Sequence, residues 1–460
     1  MIFFQTKSAQ KFFLGWSIFA LMTSCQIVPV AKPKEQDSTI LESDRDPSVL
    51  PEETEGITFE FCPSQRGFSL THSLWMTYFS ALEYAHFKHA APELRRHGFG
   101  SEEDSRTWVR AWYTLRIKRV SENQKNSDDT WKSEVERSQR MEILKDEYLR
   151  LFGEQYQDNG QESGQYEYDL VSGKNPTKSI QFLSSFLDKN GTPSKGATQA
   201  LYTEHSSMPL ALIILRGSEA DEPRDIATDL NIIHSNFGNK GSVHSGFYQH
   251  ILNIWPQLEK VLRERSGILE RENKKIHLWL GGHSLGGAAV TILSSLIMDL
   301  KDSGAIPAIE LTGVYSMGSP RVGNRTFMET IHAQAARNNV AIYRIRNGRD
   351  MITGIPVSGP FGGEGYRHVG ALIYITQNGE LSYGNGNKTV ENSSDYLKTS
   401  TDSFKDHPVK AYWQRIKSLF LKSRQNNTSQ GCSQEATEPL QPFIESQSLQ
   451  GSEPNSNFHL

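Results

Sequence analysis

Cysteine is scarce in this chain of 460 residues, which contains only Cys25, Cys62 and Cys432. So few cysteines exclude a scaffold built on disulfides and every metal site made from several thiolates. Two interpretations stay open for Cys62 and Cys432, a disulfide formed in an oxidising compartment or two free thiols. Their spacing in the sequence does not fix the distance between them in space, which decides whether a disulfide can form.

An excess of charge is also missing, because 49 basic residues stand against 53 acidic ones and the formal net charge is -4. This balance predicts no nucleic-acid or other polyanionic partner. The sequence contains no spacing of ligand residues typical of a metal site, so we predict no metal and no other cofactor. The hydrophobic share of 37% is sufficient for a folded core.

Long apolar runs are absent except at the N-terminus. Lys7 and Lys11 precede an apolar run at 12–22, and the small residues Thr23 and Ser24 follow it. A basic start, a short apolar stretch and small residues at a cleavage site are typical of an export signal. We therefore expect residues 1–24 to be a signal peptide.

The stretch LMTSC, which ends at Cys25, resembles a bacterial lipobox with Met22 where leucine is usual. The resemblance implies that Cys25 is lipidated and becomes the mature N-terminus. The alternative is an uncleaved anchor at 12–31, which is just long enough to span a bilayer. Either interpretation places the protein outside the cytoplasm, bound to a membrane of the cell envelope. Gln26 weakly favours the outer membrane.

Composition divides the rest of the chain. Residues 25–58 are rich in Pro, Glu, Asp, Ser and Thr, and we expect a disordered tether there. Residues 424–460 are rich in Gln, Ser and Asn, and we expect a disordered tail. The body is then one domain at 59–423. Within it, the charged stretch at about 116–152 predicts a solvated helical insertion, with a partner-binding arm as the less favoured interpretation.

Several short apolar runs in the second half of the body predict buried strands. Each is bounded by polar residues, and helical stretches separate several of them. Strands that alternate with helices indicate an α/β fold with a mostly parallel central sheet and helices on both faces. The runs lie at 210–215, 276–280, 311–317, 341–346 and 371–376.

The second run leads directly into GHSLG at 282–286, which is the G-x-S-x-G pattern of a nucleophile elbow. The tight turn from strand to helix strains the backbone of Ser284, and side chains at Gly282 or Gly286 would collide with neighbouring backbone. The first turn of the helix directs free N–H groups and its positive dipole end towards the reacting oxygen. The pattern and its context predict an α/β-hydrolase fold with Ser284 as nucleophile.

A serine nucleophile needs a histidine to take its proton and a carboxylate to orient that histidine. In α/β-hydrolases both follow the serine, with the acid first. Asp350 comes just after the strand at 341–346, at the edge of the sheet where the elbow lies. Its rival, Asp302, lies in the helix that follows the nucleophile and faces the wrong way.

His407 and His368 are the candidate bases. His407 follows a predicted hairpin and lies on a polar loop, whereas His368 precedes the strand at 371–376 and is expected at the edge opposite the elbow. We therefore predict His407 as the base. His283 is next to the nucleophile, but its side chain is expected to point away from the reaction and to have a packing and hydrogen-bonding role.

Several motifs, taken in order, resemble the class 3 lipases, the family of fungal triacylglycerol lipases and plant phospholipases A1. The resemblance covers residues 195–419, about half of the chain, and assigns the acid to Asp350 and the base to His407. The matching segments are ALIILRGS, VHSGFY, GHSLGG, YSMGSPRVGN, NGRDMITGIP and DHPVKAYW.

The resemblance also implies an oxyanion hole made by Ser218 and the backbone N–H of Leu285. Ser218 stands where threonine is commoner, but it retains the hydroxyl. The lid of the family corresponds to residues 219–230, which carry five carboxylates and only Ile226 and Leu230 as large apolar side chains. Such a lid is poorly suited to bury itself in lipid, so we do not expect strong activation at an oil surface.

These features together predict a serine hydrolase that cleaves carboxylic esters of lipids, as a triacylglycerol lipase or a phospholipase A1. Its partners would be a lipid or ester substrate and the membrane that holds its lipid anchor. Two alternatives are an esterase for short-chain soluble esters and a lipid-binding surface lipoprotein without catalysis. The intact set of Ser284, Asp350 and His407 argues against the last of these.

Overall fold

The computed structural model describes eight stretches of the chain, and the structural statements below refer to them alone. The chain divides into two compact units, 1–45 and 46–460, and every described residue belongs to the second. The expected signal peptide, most of the tether and nearly all of the tail lie outside the described residues. These are 54–85, 87–121, 134–158, 179–184, 199–217, 233–356, 365–383 and 405–425.

The described strands form an eight-stranded sheet and a separate two-stranded ribbon. The strands are β1 (Ile180–Ser184), β2 (Gln199–Glu204), β3 (Leu210–Leu215), β4 (His234–Asn236), β5 (Ser242–His244), β6 (Ile276–His283), β7 (Ile309–Met317), β8 (Ala341–Asn347), β9 (Ala371–Ile375) and β10 (Leu381–Tyr383). The order across the large sheet is β1-β2-β3-β6-β7-β8-β9-β10.

The centre of the large sheet is parallel. Strands β3, β6, β7, β8 and β9 pair in parallel, whereas β1, β2 and β10 add antiparallel edges. All six residues of β3 are buried, because helices cover both faces of the sheet and leave no polar side to the strand. The predicted α/β class with a mostly parallel sheet is confirmed.

Helices enclose this sheet in two layers. The described α-helices are α1 (Leu70–Leu82), α2 (Phe87–Arg96), α3 (Glu102–Ser121), α4 (Glu134–Phe152), α5 (Ser245–Leu252), α6 (Trp255–Arg271), α7 (Leu285–Asp302), α8 (Arg325–Asn338) and α9 (Val409–Gln425). One apolar core lies under α5, α6, α7 and α8, and a second core on the opposite face involves α1, α2 and α9.

Helix α1 is buried on nearly all sides, since every residue after Leu70 is buried. It packs between the sheet and α9, and its rings of Trp75, Tyr78 and Phe79 fill much of the second core. Ser69 caps its first turn by accepting a hydrogen bond from the His72 backbone N–H at 3.1 Å. Tyr84, two residues after α1, reaches the functional site, where its hydroxyl is 3.0 Å from His283 Nδ1.

Helices α3 and α4 occupy the region where the sequence predicts an insertion. Helix α3 begins well before residue 116, because Ser101 and Asp104 cap each other across its first turn, with Ser101 Oγ accepting from the Asp104 N–H at 3.0 Å. The two helices share a small apolar core of their own, and α4 also exposes large apolar side chains. The shared core contains Tyr113, Ile117, Val120, Leu144 and Tyr148.

Three further features concern anchoring and metals. Cys62 forms a disulfide whose partner lies outside the described residues, so the interpretation as a free thiol is wrong for Cys62, and whether its partner is Cys432 stays open. No helix in the described part of the chain combines the length and the hydropathy needed to cross a bilayer. Among the same residues, no group of His, Cys, Asp and Glu side chains is arranged to hold a metal ion.

The packing of Gly313 against Trp279 provides a test of the sheet. These residues are partners at an irregularity in the register between β6 and β7, and a Cβ atom at position 313 would overlap the indole ring. We expect Gly313→Ala to lower the free energy of unfolding by about 1 to 3 kcal/mol through overpacking. Denaturant titration measures this loss.

The matched control is Gly267→Ala, within α6, where the nearest atom to an added Cβ is 3.6 Å away. Alanine is the better helix former by about 1 kcal/mol, so this control should be neutral or stabilising. Equal stabilities for the two variants would contradict the assigned packing of Trp279.

Candidate functional site

The site is built on the turn from β6 to α7. Ser284 occupies this turn with φ 58° and ψ -127°. Residues other than glycine rarely adopt a positive φ. A Cβ at Gly282 would overlap the Gly286 carbonyl, and a Cβ at Gly286 would overlap the Leu215 carbonyl oxygen. The Ser284 N–H donates to the Met317 carbonyl oxygen of β7 at 2.9 Å. The two glycines therefore allow an approach of backbones that holds Ser284 at the end of the sheet.

The three side chains selected from the sequence lie together at this point. His407 Nε2 is 2.9 Å from Ser284 Oγ, and His407 Nδ1 is 3.0 and 2.9 Å from the two carboxylate oxygens of Asp350. All three residues are buried. A carboxylate only accepts, so Nδ1 carries the proton and Nε2 faces the serine hydroxyl as an acceptor. The arrangement is that of a general base held by an acid.

Asp350 is held as an anion by several donors. Its Oδ1 accepts from the Ile352 N–H at 2.9 Å, and its Oδ2 accepts from the Tyr412 hydroxyl at 2.6 Å. Burial acts to raise the pKa of Asp350, but the electrostatic interaction with His407 and the hydrogen bonds from His407 and Tyr412 hold it below its usual range. The carboxylate thus stays ionised where an unpaired buried acid would be neutral.

Asp406 holds the loop that carries His407. Its carboxylate accepts from the Arg349 N–H at 2.8 Å and pairs with Arg415 at 3.0 Å. Its carbonyl oxygen accepts from Asn347 Nδ2 at 2.8 Å. These bonds tie the loop of the base to the end of β8, next to the acid. Sequence reasoning did not identify Asp406 or Tyr412, although each stands within five residues of His407.

The rejected candidates have other partners. Asp302 lies at the end of α7, where it accepts from Asn338 Nδ2 at 3.0 Å. His283 is buried beside the catalytic loop, and its Nε2 donates to the His407 carbonyl oxygen at 2.7 Å. Burial lowers the pKa of His283 to about 3, so the ring is neutral. It has the packing and hydrogen-bonding contacts that were expected.

The expected position of His368 was wrong. Its Nε2 donates at 2.9 Å to the carbonyl oxygen of Thr353, in the turn that follows Asp350, so it does not lie at the opposite edge of the sheet. The reason is that the segment before β9 turns back along the sheet, where Arg367 pairs with Gly323 beyond the end of β7. His368 is buried, and burial with nearby arginines holds its pKa well below its usual value.

The oxyanion donors are described only in part. Leu285 is the first residue of α7, and backbone N–H groups of a first helical turn have no acceptor within the helix. This N–H lies next to Ser284 without an acceptor in the helix. Ser218 and the lid at 219–230 lie outside the described residues, and the oxyanion roles of Leu285 and Ser218 stay predictions. The turn at Arg216–Gly217, just before Ser218, is described.

Comparison with known proteins agrees with the resemblance seen in the sequence. Residues 212–359 match the family model described as Lipase (class 3). The toxin TseL of Vibrio cholerae is 37% identical over 134 residues, which is 28% of this chain and 18% of that protein. The secreted mono- and diacylglycerol lipase 1 of Fusarium solani is 30% identical over 132 residues, which is 27% of this chain and 35% of that protein.

A plant protein and a solved structure are also similar to part of the chain. Phospholipase A(1) DAD1 of Arabidopsis thaliana is 30% identical over 131 residues and is covered to 27% of its length. The chain therefore spans well under two thirds of each of these three relatives. Lipase II from Rhizopus niveus, a solved structure, is 20% identical, with 50% of this chain and 79% of that chain covered and a TM-score of 0.38.

Loss of the Tyr412 hydroxyl provides a test of the acid's environment. Tyr412→Phe removes a donor to Asp350 and the acceptor of the Asn347 N–H, which lie 2.6 and 3.1 Å from the hydroxyl. We expect a loss of about 1.5 to 3 kcal/mol in the free energy of unfolding at pH 7. The depressed pKa of Asp350 stabilises the fold above the unfolded pKa of about 3.9, and this part is lost as pH falls through the folded value.

The stability difference between Tyr412→Phe and the wild type should therefore shrink below about pH 4 without vanishing, because the Asn347 N–H stays unpaired at any pH. Thermal unfolding from pH 3 to pH 8 measures it. Tyr343→Phe is the control, since that buried hydroxyl donates to the backbone oxygen of Arg66 at 2.6 Å. A difference for Tyr412→Phe that is as independent of pH as that of the control would refute the assignment.

Proposed function

We propose that this chain, whose residues 212–359 match the family model of class 3 lipases, hydrolyses carboxylic ester bonds of lipids through an acyl-enzyme on Ser284. The observation that carries the proposal is the continuous hydrogen-bonded path from Ser284 Oγ through His407 to Asp350. A serine hydroxyl on a strained turn, with an imidazole acceptor at 2.9 Å, has the geometry of an activated nucleophile.

In the first step, Ser284 Oγ attacks the ester carbonyl carbon as His407 Nε2 takes the hydroxyl proton. The electron pair of the carbonyl moves onto its oxygen, where the Leu285 N–H donates. The oxyanion then re-forms the carbonyl double bond, and the bond from the carbon to the oxygen of the leaving alcohol breaks. His407 gives its proton to this alcohol oxygen. Asp350 stays ionised throughout and stabilises the imidazolium. Each donor to the oxyanion contributes about 3 kcal/mol to the stability of the transition state.

In the second step, water attacks the acyl carbonyl and passes a proton to His407. The bond between the acyl carbon and Ser284 Oγ breaks, and Oγ recovers its proton from the imidazolium. The products are a free carboxylic acid and an unchanged enzyme. The burial of Asp350 and His407 strengthens the electrostatic interaction between them, because water is excluded from the pair.

Lipid esters are favoured as substrates by the names of the relatives. One is called a mono- and diacylglycerol lipase and another a phospholipase A(1). The carboxylate-rich sequence at 219–230 argues for polar lipids, such as phospholipids, over an oil surface. The same segment is the observation that favours the second candidate, an esterase for short soluble esters. The third candidate, a lipid-binding protein without catalysis, leaves the contacts among Ser284, Asp350 and His407 without a purpose.

The test is a panel of p-nitrophenyl esters with acyl chains of rising length, together with phospholipid vesicles. We expect hydrolysis to rise with chain length and to release free fatty acid from the vesicles. Ser284→Ala should lower kcat by about 10⁴-fold or more. Ser294→Ala is the control on the same helix, because its hydroxyl donates only to the Thr291 carbonyl oxygen at 2.7 Å.

The outcomes separate the three candidates. The soluble esterase is supported if activity peaks at short acyl chains and shows no increase when the substrate exceeds its critical micelle concentration. Full activity in Ser284→Ala would remove the mechanism, and absence of hydrolysis by the wild type on every ester leaves the binding protein.

We also propose that the protein is exported and held in the bacterial cell envelope by lipid on Cys25. The support is the sequence alone, with basic residues, an apolar run and LMTSC at the N-terminus. We expect mass spectrometry of the mature protein to find an N-terminal cysteine with attached acyl chains. Cys25→Ser should abolish this product, and an intact N-terminus in the wild type would favour the uncleaved anchor at 12–31.

A further inference from the structure

A second chain of contacts runs behind the catalytic residues and joins the turn at Arg216–Gly217 to the loop of His407. Its centre is Tyr84, just after α1. The Tyr84 hydroxyl is 3.0 Å from His283 Nδ1 and lies against Gly217, where an added Cβ would be 2.2 Å from it. His283 Nε2 is 2.7 Å from the His407 carbonyl oxygen. The chain therefore contacts both ends of the site and passes through the residue before the nucleophile.

The direction of every bond in this chain is determined. Burial keeps the His283 ring neutral, with its pKa lowered to about 3, so the ring has one N–H. The His407 carbonyl oxygen only accepts, which places that proton on Nε2 and leaves Nδ1 as an acceptor. The Tyr84 hydroxyl must then donate to Nδ1, and its oxygen stays in contact with Gly217. A residue without the hydroxyl breaks the chain at both contacts.

The turn at Arg216–Gly217 is confined by neighbours on its other sides. The Arg216 backbone lies close to Gly286, since a Cβ added at Gly286 would be 2.9 Å from the Arg216 carbonyl oxygen. A Cβ at Gly217 would overlap the Tyr84 hydroxyl and lie 2.7 Å from the His283 carbonyl oxygen. Tyr84 is thus one wall of the space that holds the turn.

We propose that Tyr84 is a positioning residue that, through His283, holds the oxyanion turn at a fixed distance from the nucleophile and the base. This inference rests on the proposed function, since it concerns the same site. The residue after Gly217 is Ser218, to which the family resemblance assigns an oxyanion contact. A shift of the Gly217 backbone moves that contact directly. The oxyanion exists only in the transition state, so the effect falls on kcat and leaves KM unchanged.

The alternative is that Tyr84 only fills space at the end of α1. Tyr84→Phe distinguishes the two roles, because it retains the ring and removes the hydroxyl. Tyr78→Phe is the matched control, on α1 just before Tyr84, where the buried hydroxyl donates to Glu93 at 2.7 Å. We expect Tyr84→Phe to lower kcat by about 10-fold to 100-fold with KM within about twofold of the wild type. Tyr78→Phe should lower thermal stability and leave kcat near that of the wild type.

A double-mutant cycle with His283→Gln tests whether the two residues act as one chain. The glutamine amide is expected to retain a donor near the position of Nε2 and to lack the acceptor at the position of Nδ1. If the chain is the route, Tyr84→Phe in the His283→Gln background should produce little further loss in kcat. Additive losses, or equal losses in kcat for Tyr84→Phe and Tyr78→Phe, would overturn the proposal.

A measurement independent of turnover keeps failure of this inference distinct from failure of the proposed function. We expect ¹⁵N NMR of the histidines in the full chain to show His283 neutral and protonated at Nε2. Tyr84→Phe should move the Nδ1 resonance as its hydrogen bond is lost, and Tyr78→Phe should not. An unchanged Nδ1 resonance in Tyr84→Phe contradicts the chain, whereas a wild type without esterase activity contradicts the proposed function.

Discussion

The geometry of this protein depends on the backbone of Ser284, which turns from strand to helix at a positive φ of 58°. That conformation is costly for a residue with a side chain, and it persists because the surroundings leave no alternative. Gly282 and Gly286 admit the neighbouring backbone, and β7 accepts the Ser284 N–H. The turn presents the hydroxyl at the end of the sheet, where the segment after β8 brings the carboxylate and the segment just before α9 brings the imidazole.

The central sheet could be predicted because parallel strands covered on both faces are apolar without interruption. The run at 210–215 coincides with β3, and β6 differs only by continuing into the elbow. The elbow, Asp350 and His407 could also be found, since the order of nucleophile, acid and base along the chain restricts the search. Each of these signals is local or follows a rule of topology that needs no coordinates.

The rest depends on contacts between residues that are distant in the sequence. Tyr84 and His283 are 199 positions apart, and no spacing rule connects them. Asp406 and Tyr412 act by hydrogen bonds whose partners lie at the end of β8, so composition alone gave them no special role. The position of His368 was wrong because the path of the segment before β9 is decided by its pairing with Gly323, not by the strand that it precedes.

The packing of α1 against α9 has a consequence for the order in which the chain folds. These helices stand near opposite ends of the body, at Leu70–Leu82 and Val409–Gln425, and together they cover one face of the sheet. That face cannot be sealed until the last helix is available, since a contact across so many residues forms only after the intervening chain is present. During synthesis from the N-terminus, the aromatic side chains of α1 therefore stay open to water until α9 has been made.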